Sequence, residues 1–519
     1  MVIVSDRPLA IAIGLAILLG VILRCWGLDH KLFWVDEVYT QFNIGGYTNG
    51  EVATLFHPPH LTTAEDLLEE IALKPNRGLG AMVHSLITED TTHVPLYYAL
   101  THLWVRVFGS SVSALRSTAV LFSLLALPSF YALALGLFRS RLRAGLAVAL
   151  MAVSPFHGLY AQEARPYSLW LLLTVLSSAL LVQSLHRRRW QDWGLYGLSA
   201  SLGLYTFLYM PLVLLAQCLY VLGLEWGRWT LTLRRYWVAA IAAAISFLPW
   251  LVAIAPYRAN LTGNTRWQVQ SASTSPWELL HNLGLTLTRG FIDFDWNYNF
   301  SLGNWWPYGL VVLATVALVG YSFGLSIRHS PRQSWLLPLL LFLVPLAAIA
   351  VLEIAIGQQQ SGIPRYFTPC YVGAELAVAY SLGHWLEGAS RRLGILVATA
   401  ILAIGALSYG NNAIAPTWWH KSGHYIPVVA QIIGARDRPL VLLDSDAWSF
   451  ALAHRLPPTT ALIPFNSTLG MPAVPPGYSD YFLAYPPADW MAEYGAASGY
   501  TLTPLENLEN VPIWSLTVE

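Results

Sequence analysis

Charged residues are scarce in this sequence. Lys, Arg, Asp and Glu make up 11% of 519 residues, while 55% are hydrophobic. Soluble domains carry roughly a quarter charged residues. A soluble protein with a large core is thereby excluded, and a polytopic membrane protein remains. The 29 basic and 29 acidic side chains cancel, so no whole-molecule field exists to gather nucleic acid. Cysteine is nearly absent too. Cys25, Cys218 and Cys370 lie in or beside apolar runs, which argues against a disulfide or a thiolate metal site. No Gly-rich nucleotide loop is evident. Internal repeats are lacking, as is the matched pair of interrupted spans that marks an inverted-repeat transporter.

Aromatic residues, by contrast, are plentiful. The 22 Trp and 26 Tyr suit many membrane interfaces, where amphipathic rings sit at headgroup depth. A spanning helix needs about 20 mainly apolar residues. The first candidate runs from Pro8 to Trp26 and lacks a small-residue cleavage site, so it reads as an uncleaved anchor. The others fall at 114–138, 144–160, 167–185, 193–208, 211–226, 237–255, 305–326, 335–353, 366–386 and 394–410. Arginines cluster at 139/141/143, 187–189, 228/234/235, 328/332 and 391/392. Short basic loops stay cytoplasmic. With Arg7 inside, eleven spans put every cluster inside. The segment 27–113, the loops 161–166, 256–304 and 354–365, and the tail from about 411 then lie outside.

One segment tests that count. "HVPLYYALTHLWVRVF" (93–108) is hydrophobic but only about 24 Å long as a helix. His102 and Arg106 share one face, and Leu96, Leu100, Leu103 and Val107 line another. It reads as an interfacial helix lying on the outer surface. A second helix, "TTAEDLLEEIAL", is expected in the same loop behind a Thr62/Glu65 capping box. The tail alternates strand-like "RPLVLLD" and "DYFLAY" with a helix over 487–499 that Gly499 closes. The expectation is an all-α polytopic membrane protein of about eleven transmembrane helices. Residues 1–410 form the membrane domain, with interfacial helices in a first outer loop at 27–113, and 411–519 form a small extracytoplasmic α/β domain.

On this topology several polar groups share the outer face. Asp36 and Glu37 follow the first span within "LDHKLFWVDEVYT". His93 and Pro95 open the interfacial helix. "YAQEARPYS" places Gln162, Glu163 and Arg165 between two spans, and "IPRYFTP" places Arg365 and Tyr366 at the mouth of another. Each has a plain structural reading beside the functional one: solvated loop acids, arginines snorkelling to lipid phosphates, a histidine that packs. His57, His60, His84 and His93 match no zinc spacing. Glu375 falls mid-span, where an acid costs a few kcal/mol unless paired or protonated. It is either a proton or ion site or, as favoured, a hydrogen-bonded acid between helices.

Taken together, these residues resemble the GT-C membrane glycosyltransferases, above all the protein O-mannosyltransferases and the aminoarabinose transferase of lipid A. The likeness rests on "WVDE" after the first span, on "HVPLYYALTHLWVRVFGSSVSALR", on "LYAQEARPYSLWLLL" and on "RYFTP". It covers roughly residues 8–190 well. The families' His-Pro-Pro reads His93-Val94-Pro95, while "FHPPHL" occurs earlier, at 56–61. The resemblance implies transfer of a sugar from a polyprenyl-phosphate donor, on the extracytoplasmic face, to a lipid, glycan or protein acceptor. It implies Asp36 as base, with Glu37 orienting the acceptor, a lysine or a metal. Arg165, Arg365 and Tyr366 would meet the donor phosphate, and His93, Gln162 and Glu163 the substrates. No cofactor is fixed, and a divalent metal stays open. A single base and no second carboxylate nucleophile point to inversion. The alternative is a transporter or flippase of lipid-linked intermediates. Economical loops tilt the location to a bacterial inner membrane.

Overall fold

The computed structural model describes residues 7–265, 275–294, 305–357, 360–487, 490, 500–505 and 511–518. The helix expected over 487–499 falls almost wholly outside them. The chain gathers into two compact units. Met1–Leu28, Asp90–Leu100 and Leu115–Ile414 form the first, and Asp29–Glu89, Thr101–Ala114 and Ala415–Glu519 the second.

The first unit is helical, and each of the eleven expected spans carries a helix. Among the described residues, seven helices are long and apolar enough to cross a membrane. The count is eight if the bent pair Arg141–Val153 and Pro155–Ala161 is one span. This is an integral membrane protein. The remaining expected spans depart for identifiable reasons. Trp190–Leu204 and Met210–Leu224 have 15 residues each, so they rise only about 22 Å against a hydrocarbon core of about 30 Å. Thr368–Glu387 is long enough but not apolar enough, carrying Glu375, His384 and Glu387, and it is buried along nearly its whole length. Its small residues admit close neighbours: a Cβ at Gly373 would overlap the Pro338 carbonyl, and one at Gly383 the Arg143 side chain.

The bent pair turns by 60° at Ser154. Pro155 has no N–H to give the Met151 carbonyl, and the Phe156 N–H goes to the Arg289 carbonyl at 3.2 Å. Two carbonyls are thus freed inside the unit. Arg24, fully buried at the end of the Arg7–Cys25 helix, donates to both, at 2.9 Å to Met151 and 2.6 Å to Ala152. It also donates to Ser123 Oγ and the Gly20 carbonyl. Gly20 permits the approach, since any Cβ there would overlap Ala152.

The second unit is built on a six-stranded sheet ordered β1-β3-β2-β4-β6-β5. Its strands are β1 Thr62–Thr63, β2 Pro439–Asp444, β3 Ala461–Phe465, β4 Asp480–Ala484, β5 Tyr500–Pro504 and β6 Ile513–Val518. β2 pairs in parallel with β3 and β4, while the other three pairings are antiparallel. β2 is buried on both faces, as a central parallel strand should be. Leu440, Leu442, Ile463, Phe465 and Leu483 form the core with Trp490. Asp444 Oδ1 accepts from Ser445 N at 2.7 Å and Ser467 N at 2.9 Å, tying the turns after β2 and β3.

The sheet includes a strand that the sequence reading had placed in a helix. Thr62 and Thr63 pair with Leu462 and Ala461, so the helix opens one residue later, as Ala64–Glu70. Its cap is Thr63, accepting from Asp66 N, rather than Thr62 with Glu65. Pairing with β3 keeps the backbone extended through Thr63, so the cap falls there and not at Thr62. The helix Pro95–Phe108 buries Thr101, His102 and Val105 and exposes Leu103, Val107 and Phe108. Leu103 and Val107 of the expected apolar face are thus exposed, beside Arg106.

Candidate functional site

In the first unit, the turn after the bent pair sets out the expected residues. Gln162 Nε2 donates to the carbonyls of Leu23 at 2.9 Å and Trp26 at 2.8 Å. It closes the C-terminal end of the Arg7–Cys25 helix, so its amide donors serve the scaffold. Glu163 is fully buried, and its carbonyl accepts from Arg165 N at 2.7 Å. The Arg165 side chain, 5% exposed, reaches His93 Nε2 at 2.7 Å. A guanidinium can only donate, so Nε2 accepts and Nδ1 carries the hydrogen. Nδ1 then donates to Asp90 Oδ1 at 2.7 Å. Thr92 Oγ1 donates to the same oxygen at 2.7 Å, and the Tyr98 ring meets His93 edge-on at 5.7 Å. The Asp90–His93–Arg165 chain thus fixes both the tautomer and the guanidinium.

Arg365 arrives from the short helix Pro364–Phe367. Its Cζ lies 5.7 Å from the Tyr167 ring centre, and Arg165 Cζ lies 5.9 Å from the same centre. Two guanidiniums from segments 200 residues apart (165 and 365) therefore both lie within 6 Å of one aromatic ring. Tyr366 stacks on Tyr209, with centroids 4.7 Å apart and planes at 9°, and Tyr209 Oη donates to Gln360 Oε1 at 2.5 Å. Glu353 holds this segment from behind. It accepts from Gln360 N, Ser361 N and Ser361 Oγ at 3.1, 2.7 and 2.8 Å. Glu375 faces His157 Nε2 at 3.2 Å, with both side chains 1% exposed.

In the second unit, Asp36 and Glu37 sit in the first turn of the Val35–Gly45 helix, where the helix dipole favours acids. They are not equivalent. Glu37 is fully buried and its Oε2 pairs with Lys421 Nζ at 2.8 Å, itself 1% exposed. Lys421 lies 5.8 Å from the Trp34 ring centre. Asp36 is half-buried. His102 and Arg106 serve the scaffold: Arg106 Nε donates to His102 Nε2 at 3.0 Å, and His102 Nδ1 donates to the Ile44 carbonyl at 2.8 Å. Among the described residues, no three His, Cys, Asp or Glu side chains gather as a metal site would need.

Sequence reasoning missed Asp90, Tyr167, Tyr209 and Lys421. Asp90 stands three residues before His93, and Tyr167 lies inside the quoted motif, so both had a local signal. Lys421 had only rarity, being one of three lysines beside Lys31 and Lys74. Tyr209 had none.

A many-helix membrane body with polar side chains grouped at helix ends, joined to a unit bearing a small sheet, defines a GT-C-like architecture. Residues 92–252 match the family model for dolichyl-phosphate-mannose-protein mannosyltransferase. ArnT from Cupriavidus metallidurans bound to undecaprenyl phosphate aligns with a TM-score of 0.53 at 13% identity, over 97% of each chain. Its apo form gives 0.50 at 12% identity, over 82% of this chain and 87% of that one. The oligosaccharyltransferase of Archaeoglobus fulgidus tethered to an acceptor peptide gives 0.48 at 13% identity. It covers 88% of this chain, which spans 64% of that protein's length. The ArnT likeness gives the fold as that of the GT-C glycosyltransferases, and the chain resembles the protein O-mannosyltransferases and ArnT.

Proposed function

We propose that this protein transfers a sugar from a polyprenyl-phosphate donor to an acceptor on the outer face of a bacterial inner membrane. The observation that carries the reading is the pair of buried guanidiniums, Arg165 and Arg365, both beside the Tyr167 ring. A lipid-linked donor diffuses in the bilayer, so its phosphate arrives at the membrane boundary. The phosphate gains negative charge as the bond from C1 to its oxygen breaks, and fixed cations in a water-poor site stabilise that charge. The Asp90–His93 pair holds one of these cations in place. ArnT bound to undecaprenyl phosphate supports a polyprenyl carrier here.

Asp36 is the base in this reading. An acceptor hydroxyl attacks C1, its proton passes to the Asp36 carboxylate, and polyprenyl phosphate leaves. Direct displacement inverts C1. Glu37, held by Lys421, positions the turn that carries Asp36. Tyr366 joins the arginines at the phosphate, and Glu163 and Gln162 shape the turn that presents Arg165. The acceptor is a lipid, glycan or protein.

The test is release of polyprenyl phosphate from lipid-linked sugars by the purified protein. Asp36→Asn should lower turnover by about 10²–10⁴-fold with folding intact, the range of a lost general base. Wild-type turnover in that variant would remove Asp36 from the role. The buried Glu375–His157 pair favours the transporter alternative. Movement of lipid-linked sugar across sealed vesicles without any release would establish it instead.

A further inference from the structure

Two titratable side chains deep in the first unit, His157 and Glu375, have no task in the transfer reading. Both are 1% exposed, and Glu375 Oε1 stands 3.2 Å from His157 Nε2. Yet no aligned hydrogen bond joins them. Among the described residues, both Glu375 oxygens and His157 Nε2 lack a hydrogen-bond partner. The hydrogen-bonded acid expected from the sequence is therefore not what these helices provide. An unbonded acid inside a membrane unit is costly, and such an orphan calls for a reason.

Placement supplies one. His157 belongs to Pro155–Ala161, which runs into the turn carrying Arg165. Glu375 belongs to Thr368–Glu387, which continues directly from the short helix carrying Arg365. Their neighbours Phe156 and Tyr371 pack ring on ring at 4.0 Å. The 3.2 Å contact thus links the two segments that present the guanidiniums.

We propose that His157 and Glu375 form a proton-binding pair that positions Arg165 and Arg365. One proton, taken from water, lodges between Nε2 and Oε1 and belongs to the pair rather than to either residue. It turns a bare contact into a charge-assisted hydrogen bond, which ties one arginine-bearing segment to the other. Loss of the proton to water releases the tie. Imidazole suits the task, as its charge changes readily between about pH 5 and 8. Around the pair, Arg24 and Tyr371 lie within electrostatic reach of Glu375, and Arg289 and Asp293 within reach of Tyr371. Tyr409 packs on Gly158, next to His157, and Tyr160 follows one turn on. Arg143 meets Gly383, about two turns further along the Glu375 helix. Neither His157 nor Glu375 touches substrate, so both are positioning residues. That positioning rests on the transfer reading, whereas proton binding does not.

The experiment compares the full-length protein with Glu375→Gln and His157→Gln in detergent, from about pH 5.5 to about pH 8.5. Glutamine removes the proton site at similar bulk, and the second variant serves if the first fails to fold. Melting temperature is the first readout and needs no turnover. The advantage of the wild type over each folded variant should shrink by about 2 °C or more as pH rises. All other titrating groups are common to both proteins. Release of polyprenyl phosphate is the second readout. At the acid end the variants should lose about tenfold to 10²-fold in kcat/KM, mainly in kcat, the scale of a misplaced group. At the alkaline end they should approach the wild type. A melting gap that does not move with pH overturns the proton site. Folded Glu375→Gln protein with the wild-type pH profile of release overturns the positioning role. A wild type that releases nothing removes the transfer reading and the positioning with it, and the melting gap then decides the proton site alone.

Discussion

The two units bury charge by different means. In the first, Arg24 is surrounded by neutral acceptors: three carbonyls and a hydroxyl at 2.6–3.0 Å. Two of them are the orphaned oxygens of a broken helix, so the charge repairs the backbone. In the second, Glu37 meets an opposite charge, Lys421, across 384 residues of sequence. There the charge joins distant segments. The difference teaches what each cation is for. Removing Arg24 takes the donor from two backbone carbonyls, whereas removing Lys421 takes the opposite charge from a buried carboxylate.

That contrast can be sharpened by substitution. Glu37→Gln should cost about 3–5 kcal/mol of stability, because a buried ammonium is left without its counter-charge. The double variant with Lys421→Met should recover much of the loss, and thermal unfolding in detergent reads both. If single and double variants unfold alike, the pair is not a unit. Arg24→Leu should cost about 2–4 kcal/mol, since two buried carbonyls lose their donors. No second substitution in a side chain should rescue it, because the two orphaned carbonyls are backbone.

For function, Arg365→Gln should lower turnover by about 10²-fold, the size of one lost electrostatic donor, with little change in melting temperature. A variant that melts early instead would make Arg365 a scaffold residue like Arg24. The smallest effect concerns Glu51, which hydrogen bonds to Arg77 and the Thr48 backbone hold at a pKa of about 2, below its usual 4.5. A depressed folded-state pKa stabilises above the unfolded value and fades as pH falls through the folded one. The advantage of the wild type over Glu51→Gln should therefore be full above about pH 4.5 and vanish towards pH 2. Half-exposure keeps it small.

What was legible in the sequence follows the same divide. The membrane helices announced themselves, because a span must satisfy its backbone within itself and so be apolar from end to end. Arg165, Arg365 and His93 could be picked out by motif. Their convergence on Tyr167 and Asp90 could not, since it depends on how helices pack. The two 15-residue helices looked like spans because composition does not reveal length limits set by a break. The second unit was least legible. Thr62 and Thr63 read as a helix start, and only pairing with Leu462 and Ala461 makes them a strand. Lys421 carried no pattern, as a single cation gains meaning only from the acid opposite.

The two-residue strand β1 has a consequence for biogenesis. It leaves the ribosome about 400 residues before its partner β3, which at 5–20 residues per second is on the order of 20–80 s. Through that interval the early loop has no sheet to join, and the nascent chain must insert its later hydrophobic segments first. The sheet of the second unit is therefore completed late, only once β3 has emerged to receive β1.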